Sequence, residues 1–238
     1  MENANKIILP GLEKQLTWLK KQIVEPPKKI AVFGASSEII ADDLAKLYDA
    51  DVTLVVENYD ALMNAKLIID DDSPVKVKIM DFEVTDFGKQ ELDLIFAQGS
   101  VSLINRNKIL KEFRRILTDE GLICIGEMTK LRETVPAVIE NLWINADIEA
   151  IFSKDLEQFY ESRNFEIIDK IQLNYTLEKY YSESLDLLQN SVKNLTDKEK
   201  SYNKKLIKRI KHETNVYLKH GGEKYIGFTA LLMKKKVI

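Results

Sequence analysis

The chain has 238 residues, 45% hydrophobic and 31% charged, which suits one large domain, or one domain with an insertion, and excludes disordered and fibrous classes. Its 35 Lys and Arg against 38 Asp and Glu leave a formal charge of −3, so there is no general attraction to polyanions and nucleic acid is disfavoured as a partner. A single cysteine, Cys124, and two histidines, His212 and His220, leave no disulfide framework and no expected metal centre, while no apolar run approaches about 18 residues and no leader pattern opens at Met1, so the expectation is a cytoplasmic protein without membrane contact.

Leu12, Leu16, Leu19 and Ile23 form one helical stripe after Pro10-Gly11, and Pro26-Pro27 should end that N-terminal helix, within residues 1–27. Lys29 to Phe33 (KIAVF) is a short apolar run closed by Gly34, the pattern of a buried strand. Helical spacing returns at Ile40, Leu44 and Leu47. Asp51 to Glu57 (DVTLVVE) predicts a second strand, Tyr59 to Leu67 a helix, and Val75 to Met80 a third strand after the polar turn Asp70-Asp71-Asp72-Ser73-Pro74. Leu92 to Ala97 (LDLIFA) is the fourth. Ile109, Leu110, Phe113, Ile116 and Leu117 share a helix face, and the turn Thr118-Asp119-Glu120-Gly121 leads to a fifth strand, Leu122 to Gly126. Strands alternating with helices imply right-handed crossovers and a parallel sheet covered on both faces.

Beyond this core, residues 28–128, the C-terminal half (129–238) changes character. Helical patterns at Val135, Val138, Ile139 and Leu142, and again from Ser153 to Arg163, precede a strand from Phe165 to Leu173. A charged helical insertion, 178–220, follows. Thr196-Asp197-Lys198-Glu199 is a capping box opening its second helix, whose inward stripe should be Tyr202, Leu206, Ile210 and Tyr217. Tyr225 to Met233 (YIGFTALLM) should be a core strand of the same single domain, 1–238.

This order, with the segment LDLIFAQGSVSLINRNKILKEFRRILTDEGLICIGEM from Leu92 to Met128, resembles the class I S-adenosylmethionine-dependent methyltransferases, closest to their small-molecule branch. The resemblance runs from about Pro10 to Lys236. It implies an α/β, Rossmann-like sheet of seven strands, mostly parallel, with an antiparallel last strand between the fifth and sixth, a helical cap, S-adenosylmethionine as cofactor and a small-molecule acceptor.

Sheets of this kind bind ligands at the carboxyl ends of their strands, at the topological switch point. Glu57 ends the second strand 23 positions after Gly34, near the separation at which a carboxylate meets ribose hydroxyls. The resemblance places Asp81 against the adenine amino group and Phe82 against its ring, and lays Gln98, Gly99 and Ser100 along the cofactor. In the first loop, Gly34-Ala35-Ser36-Ser37-Glu38, the family pattern is acidic-x-Gly-x-Gly-x-Gly. Here only Gly34 remains, with Val32 at the acidic position, Ser36 at the second glycine and Glu38 at the third. Loss of glycines narrows the backbone's approach to a ligand, so a non-catalytic scaffold or partner protein of the same fold stays open.

The opening KIAVFGASSEIIADDLAKLYDADVTLVVEN also looks like that of the short-chain dehydrogenases, with Tyr175 and Lys179 at their Tyr-x-x-x-Lys spacing and Ser162 earlier. Against this, Glu38 stands at a helix mouth that would have to receive a pyrophosphate. Methyl transfer is an in-line displacement that asks the protein for alignment and exclusion of water. A base is needed only for a protonated acceptor, and Glu127, closing the fifth strand, is the candidate by position. Trp143, Tyr180 and Tyr181 are candidate walls of the acceptor pocket, or anchors that hold the cap to the body. From Lys193 to Lys211, eight Lys and Arg face only Asp197 and Glu199, a basic face open to an anionic acceptor, to tRNA or to solvent alone.

Overall fold

The computed structural model describes residues 6–70 and 72–236; Asp71 of the acidic turn, residues 1–5 and residues 237–238 lie outside the described residues. Strands β1 (Lys29–Phe33), β2 (Asp51–Val56), β3 (Lys76–Ile79), β4 (Leu92–Gln98), β5 (Leu117–Lys130), β6 (Ile151–Phe152), β7 (Phe165–Gln172) and β8 (Ile226–Lys235) alternate with helices over most of the chain. The sheet order is β3-β2-β1-β4-β5-β8-β7, with β6 beside the end of β5. Pairings among β1 to β5 are parallel. β8 runs antiparallel to both β5 and β7, the reversed strand the resemblance implied.

Nearly every residue of β1, β2 and β4 is buried, because helices cover both faces and leave no side for polar residues. On one face α1 (Lys14–Gln22), α2 (Glu38–Tyr48) and α3 (Tyr59–Ile68) pack Leu16, Leu19, Ile40, Leu44 and Ala65 over Ile30, Val32, Leu54 and Phe96. On the other, α4 (Arg106–Ile116) and α6 (Leu156–Glu161) pack Ile109, Phe113, Leu156 and Tyr160 over Ala31, Phe33, Ile95 and Ile123. A third core lies beyond the tip of β4. There α5 (Ala137–Asn145), α7 (Leu177–Asn194) and α9 (Lys204–Lys219) close over Met128, Ile226 and Phe228.

Four departures from the sequence reading have local causes. β5 begins at Leu117, and residues 118–121 bulge between the pairings Leu92 to Leu117 and Leu94 to Leu122, so the expected turn is an interruption inside one strand. β6 adds an eighth strand of two residues, formed because β5 overhangs β4 and offers a free edge at Thr129 and Lys130. The N-terminal helix ends at Gln22, before the proline pair, with Ile23 already extended. The capping box at Thr196 is present, but it opens the short α8 (Asp197–Tyr202), which breaks at Asn203 before α9. Of the expected inward stripe only Tyr217 is buried; Tyr202 is 84% and Leu206 45% exposed, since this end of the cap extends past the helices it could pack on.

Candidate functional site

Register brings the candidate residues to one edge. Phe33 pairs with Val55 and with Ala97, Val56 pairs with Ile79, and Gln98 with Gly126. Gly34, Glu57, Asp81 and Gly99 therefore all leave the sheet at its carboxyl end, within two residues of these pairings. The strand order turns between β1 and β4, which sets the crevice there.

The first loop is tight. Gly34 has φ 118 and Ser36 φ 64, both left-handed, so the chain reverses within three residues before α2. Ser100 rests on Gly34: its hydroxyl donates to the Phe33 carbonyl at 2.6 Å, and a Cβ on Gly34 would lie 2.6 Å from the Ser100 Cβ. The missing side chain at Gly34 thus admits Ser100. Ser37 is buried and its Oγ has no partner. Glu38, at the third glycine position, is 4% exposed. Burial raises its pKa, and the backbone N–H groups of Glu38 and Ser36 offset only part of that.

Glu57 is held at the β2 tip by the start of α3, where Asn58 Oδ1 accepts from the Ala61 N–H at 2.9 Å. The Glu57 carboxylate is engaged by no ion pair or hydrogen bond among the described residues. The side chain is exposed at its end, but desolvation by the surrounding chain, and then the negative charge of Asp81, push its pKa up. Asp81 accepts the Glu83 N–H at 2.8 Å through Oδ1, leaving Oδ2 for other partners. Phe82 does not project as the resemblance implied. It is 3% exposed and packs edge-on against Phe33, centroids 5.2 Å apart, so it offers a ligand little surface.

Gln98 is fully enclosed. Its Nε2 donates to the carbonyls of Pro10 and Leu12, both at 2.8 Å, while its Oε1 lacks a partner. Gly99, at φ 72, lies against Pro10. The segment before α1 therefore crosses over the β4 tip, and Lys6 ties it to Glu183 of α7 at 2.5 Å. Nothing in the local pattern signalled this crossing except the Pro10-Gly11 break, whose glycine abuts Phe228.

Glu127 is a correction. Its carboxylate is 0% exposed, accepts from the Ser102 and Tyr160 hydroxyls and from Arg106 Nη2 at 3.2 Å, and pairs with the Arg106 guanidinium at 3.0 Å. Fully buried and held by three internal donors and the Arg106 guanidinium, it serves the structure and is no free base. Arg106 also donates to the Val101 carbonyl at 3.1 Å and the Glu149 carbonyl at 2.6 Å, which binds the loop after β4 to the end of β5. Sequence reading missed Arg106, because a lone arginine at a helix start carries no sign of burial.

Trp143 and Tyr181 likewise serve as anchors. Tyr181 stacks on Tyr217 with centroids 4.3 Å apart and donates to Glu213 Oε1 at 3.2 Å; Trp143 and Tyr181 share the cap core and are 6% and 2% exposed. Tyr180 stands half-buried beside Tyr181. No cluster of three metal-ligating side chains occurs among the described residues, and none of their helices is long and apolar enough to cross a membrane.

The crevice suits the adenosyl sulfonium cofactor that the resemblance named. The Glu57 carboxylate is left without a protein partner, and the Glu57–Asp81 pair makes the local field negative. Ribose hydroxyls, an amino group and a sulfonium charge are the complementary chemistry.

Residues 32–125 match a family model described as a methyltransferase domain. No curated protein matches. Among solved structures, a methyltransferase from Geobacter sulfurreducens bound to S-adenosylhomocysteine superposes with TM-score 0.69 at 14% identity, covering 94% of this chain and 91% of that one. A phosphoethanolamine N-methyltransferase from Haemonchus contortus bound to S-adenosylmethionine gives 0.75 at 12% identity over 94% of this chain; the chain spans about half its length, 53%. Geranyl diphosphate C-methyltransferase from Streptomyces coelicolor gives 0.66 at 12% identity, over 93% and 78%. The matched range includes the first loop, Gly34 to Glu38.

Proposed function

We propose that the chain, whose residues 32–125 match the methyltransferase-domain model on a Rossmann-like sheet, is a class I S-adenosylmethionine-dependent methyltransferase that methylates a small-molecule acceptor. S-adenosylmethionine, when bound, supplies a methyl group on a sulfonium, a carbon already activated by its leaving group. Glu57 would accept hydrogen bonds from the ribose hydroxyls, and Asp81 Oδ2 would accept from the adenine amino group. Ser36 and Ser37 border the amino-acid end, and Ser100 and Gly99 hold the β4 loop against the first loop. The N-terminal segment that Gln98 clasps excludes water above β4.

The observation that carries this reading is the Glu57 carboxylate without a partner beside Asp81, at the same end of the sheet as Gly34. A negative crevice at the switch point is purposeless to a protein that binds nothing there. Acceptors in the other proteins are small molecules, phosphomonomethylethanolamine in a Haemonchus relative and geranyl diphosphate in the Streptomyces one, which supports the same class here. The catalytic contribution expected of the protein is alignment.

Calorimetry with S-adenosylmethionine and S-adenosylhomocysteine tests it. Saturable binding of both at micromolar to low-millimolar concentration is expected. Absence of heat and of any thermal shift with either ligand at millimolar concentration favours the scaffold, the reading suggested by Ser100 filling the space over Gly34 and by Glu38 buried in the first loop.

A further inference from the structure

Between α5 and α9 runs a groove of about 780 Å³, walled by Leu142 and Asn145 on one side and by Lys205, Leu206, Lys208, Arg209, His212 and Glu213 on the other. Lys205, Lys208, Arg209 and His212 stand at i, i+3, i+4 and i+7 of α9, one face of the helix. None of the four has a carboxylate within 4.0 Å among the described residues, whereas Lys170, Lys179 and Lys235 elsewhere in the C-terminal half are paired with Glu157, Glu183 and Asp119.

Two terms make this face unfavourable by itself. Like charges at i, i+3 and i, i+4 repel on a helix surface. The first half of α9 lies at the positive end of its macrodipole, where cations are disfavoured. The one carboxylate in the groove, Glu213, takes a hydrogen bond from Tyr181 and is recessed, and its pKa is pushed up by burial, so it offsets the cations poorly. An anion in the groove would relieve both terms, with the Arg209 guanidinium as a planar fork for two oxygens and the lysines as point charges. Leu142 and Leu206 supply an apolar strip beside them.

We propose that the α5–α9 groove is a binding site for a small organic anion, one carrying a phosphate or carboxylate head on a short apolar body. The head lies along Lys205, Lys208 and Arg209, and the body lies on Leu142 and Leu206. A concave wall formed by a second helix distinguishes it from the basic face farther along the cap, where Lys193 is exposed and Lys200 stands beside Asp197.

The test is calorimetry on the full chain at low ionic strength, with inorganic pyrophosphate and citrate as probes for the two head groups. Saturable one-to-one binding of at least one is expected, the tighter probe identifying the head group, and affinity should fall as salt rises. Lys208→Gln with Arg209→Gln should weaken it at least tenfold, Arg209→Lys less, and Lys193→Gln with Lys200→Gln less than twofold. All variants should melt no lower than the parent and keep its affinity for S-adenosylhomocysteine, which separates failure of this site from failure of the methyltransferase reading. No saturable binding, equal loss in the distal pair, or tighter saturation by a short RNA through the same residues would overturn the proposal.

Discussion

Arg106 and Glu127, 21 residues apart in sequence, form an ion pair at 3.0 Å in which the side chains are 1% and 0% exposed. The pair joins the start of α4 to the end of β5, and Ser102 and Tyr160 complete the carboxylate's hydrogen bonds. Burial and the adjacent carboxylate push the Tyr160 phenol well above its ordinary pKa, so it remains a donor. Removing one partner strands a buried charge, and Arg106→Met or Glu127→Ala should each cost about 3 to 5 kcal/mol. Urea denaturation reads this directly. The double change Arg106→Met with Glu127→Leu should cost less than the two single losses added together, and strict additivity would show that the groups do not act as a pair.

Glu57→Ala should weaken S-adenosylhomocysteine binding by about 1 to 3 kcal/mol through the loss of charge-assisted hydrogen bonds. Calorimetry of the variant with unchanged affinity would remove Glu57 from the site.

The same carboxyl sets a pH dependence. Its folded pKa lies above the ordinary 4.5, through desolvation and Asp81. The protonated form therefore favours the folded state at acid pH, and that contribution is lost as pH rises through the folded value. Cofactor binding, which uses the carboxylate, should strengthen over the same rise. Asp81→Asn removes the like charge, so the midpoint of the affinity profile should move to lower pH; an unmoved midpoint would assign the dependence elsewhere.

Gly34→Ala places a side chain at φ 118, 2.6 Å from the Ser100 Cβ. The backbone conformation alone should cost about 1 to 3 kcal/mol. Adding Ser100→Gly should recover the contact part and leave the conformational part, as two thermal melts would show.

Glu38 gives a stability readout for the first loop. Its raised pKa means that wild type loses stability as pH climbs above 4.5 and through the folded value, relative to an uncharged side chain. Glu38→Gln should therefore gain on wild type between pH 5 and pH 8, by about 1.4 kcal/mol for each unit of pKa difference. Parallel stability curves for the two proteins would contradict this.

Cys124 is buried, with its thiol pushed up to about 12 and the Gln15 amide at 3.5 Å. A thiol reagent at pH 8 should leave it unmodified in the native protein, and labelling should appear only along the urea unfolding transition. Rapid native labelling would mean that α1 opens locally over the sheet.

The alternation of apolar runs with helical stripes, and the spacing from Gly34 to Glu57, were legible because strands buried on both faces and crossover helices impose their periods on consecutive residues. The amino-acid sequence by itself determined the parallel core, the reversed last strand through the resemblance of Leu92 to Met128, and the group of residues at the strand tips. Only tertiary structure decided that Glu127 is locked to Arg106, that Phe82 turns inward onto Phe33, that Ser100 occupies the space Gly34 leaves, and that Tyr202 and Leu206 face outward. Local patterns record which face of an element is apolar. What an individual polar or aromatic side chain touches depends on elements distant in sequence, here 21 residues for Glu127 and 66 for Ser100.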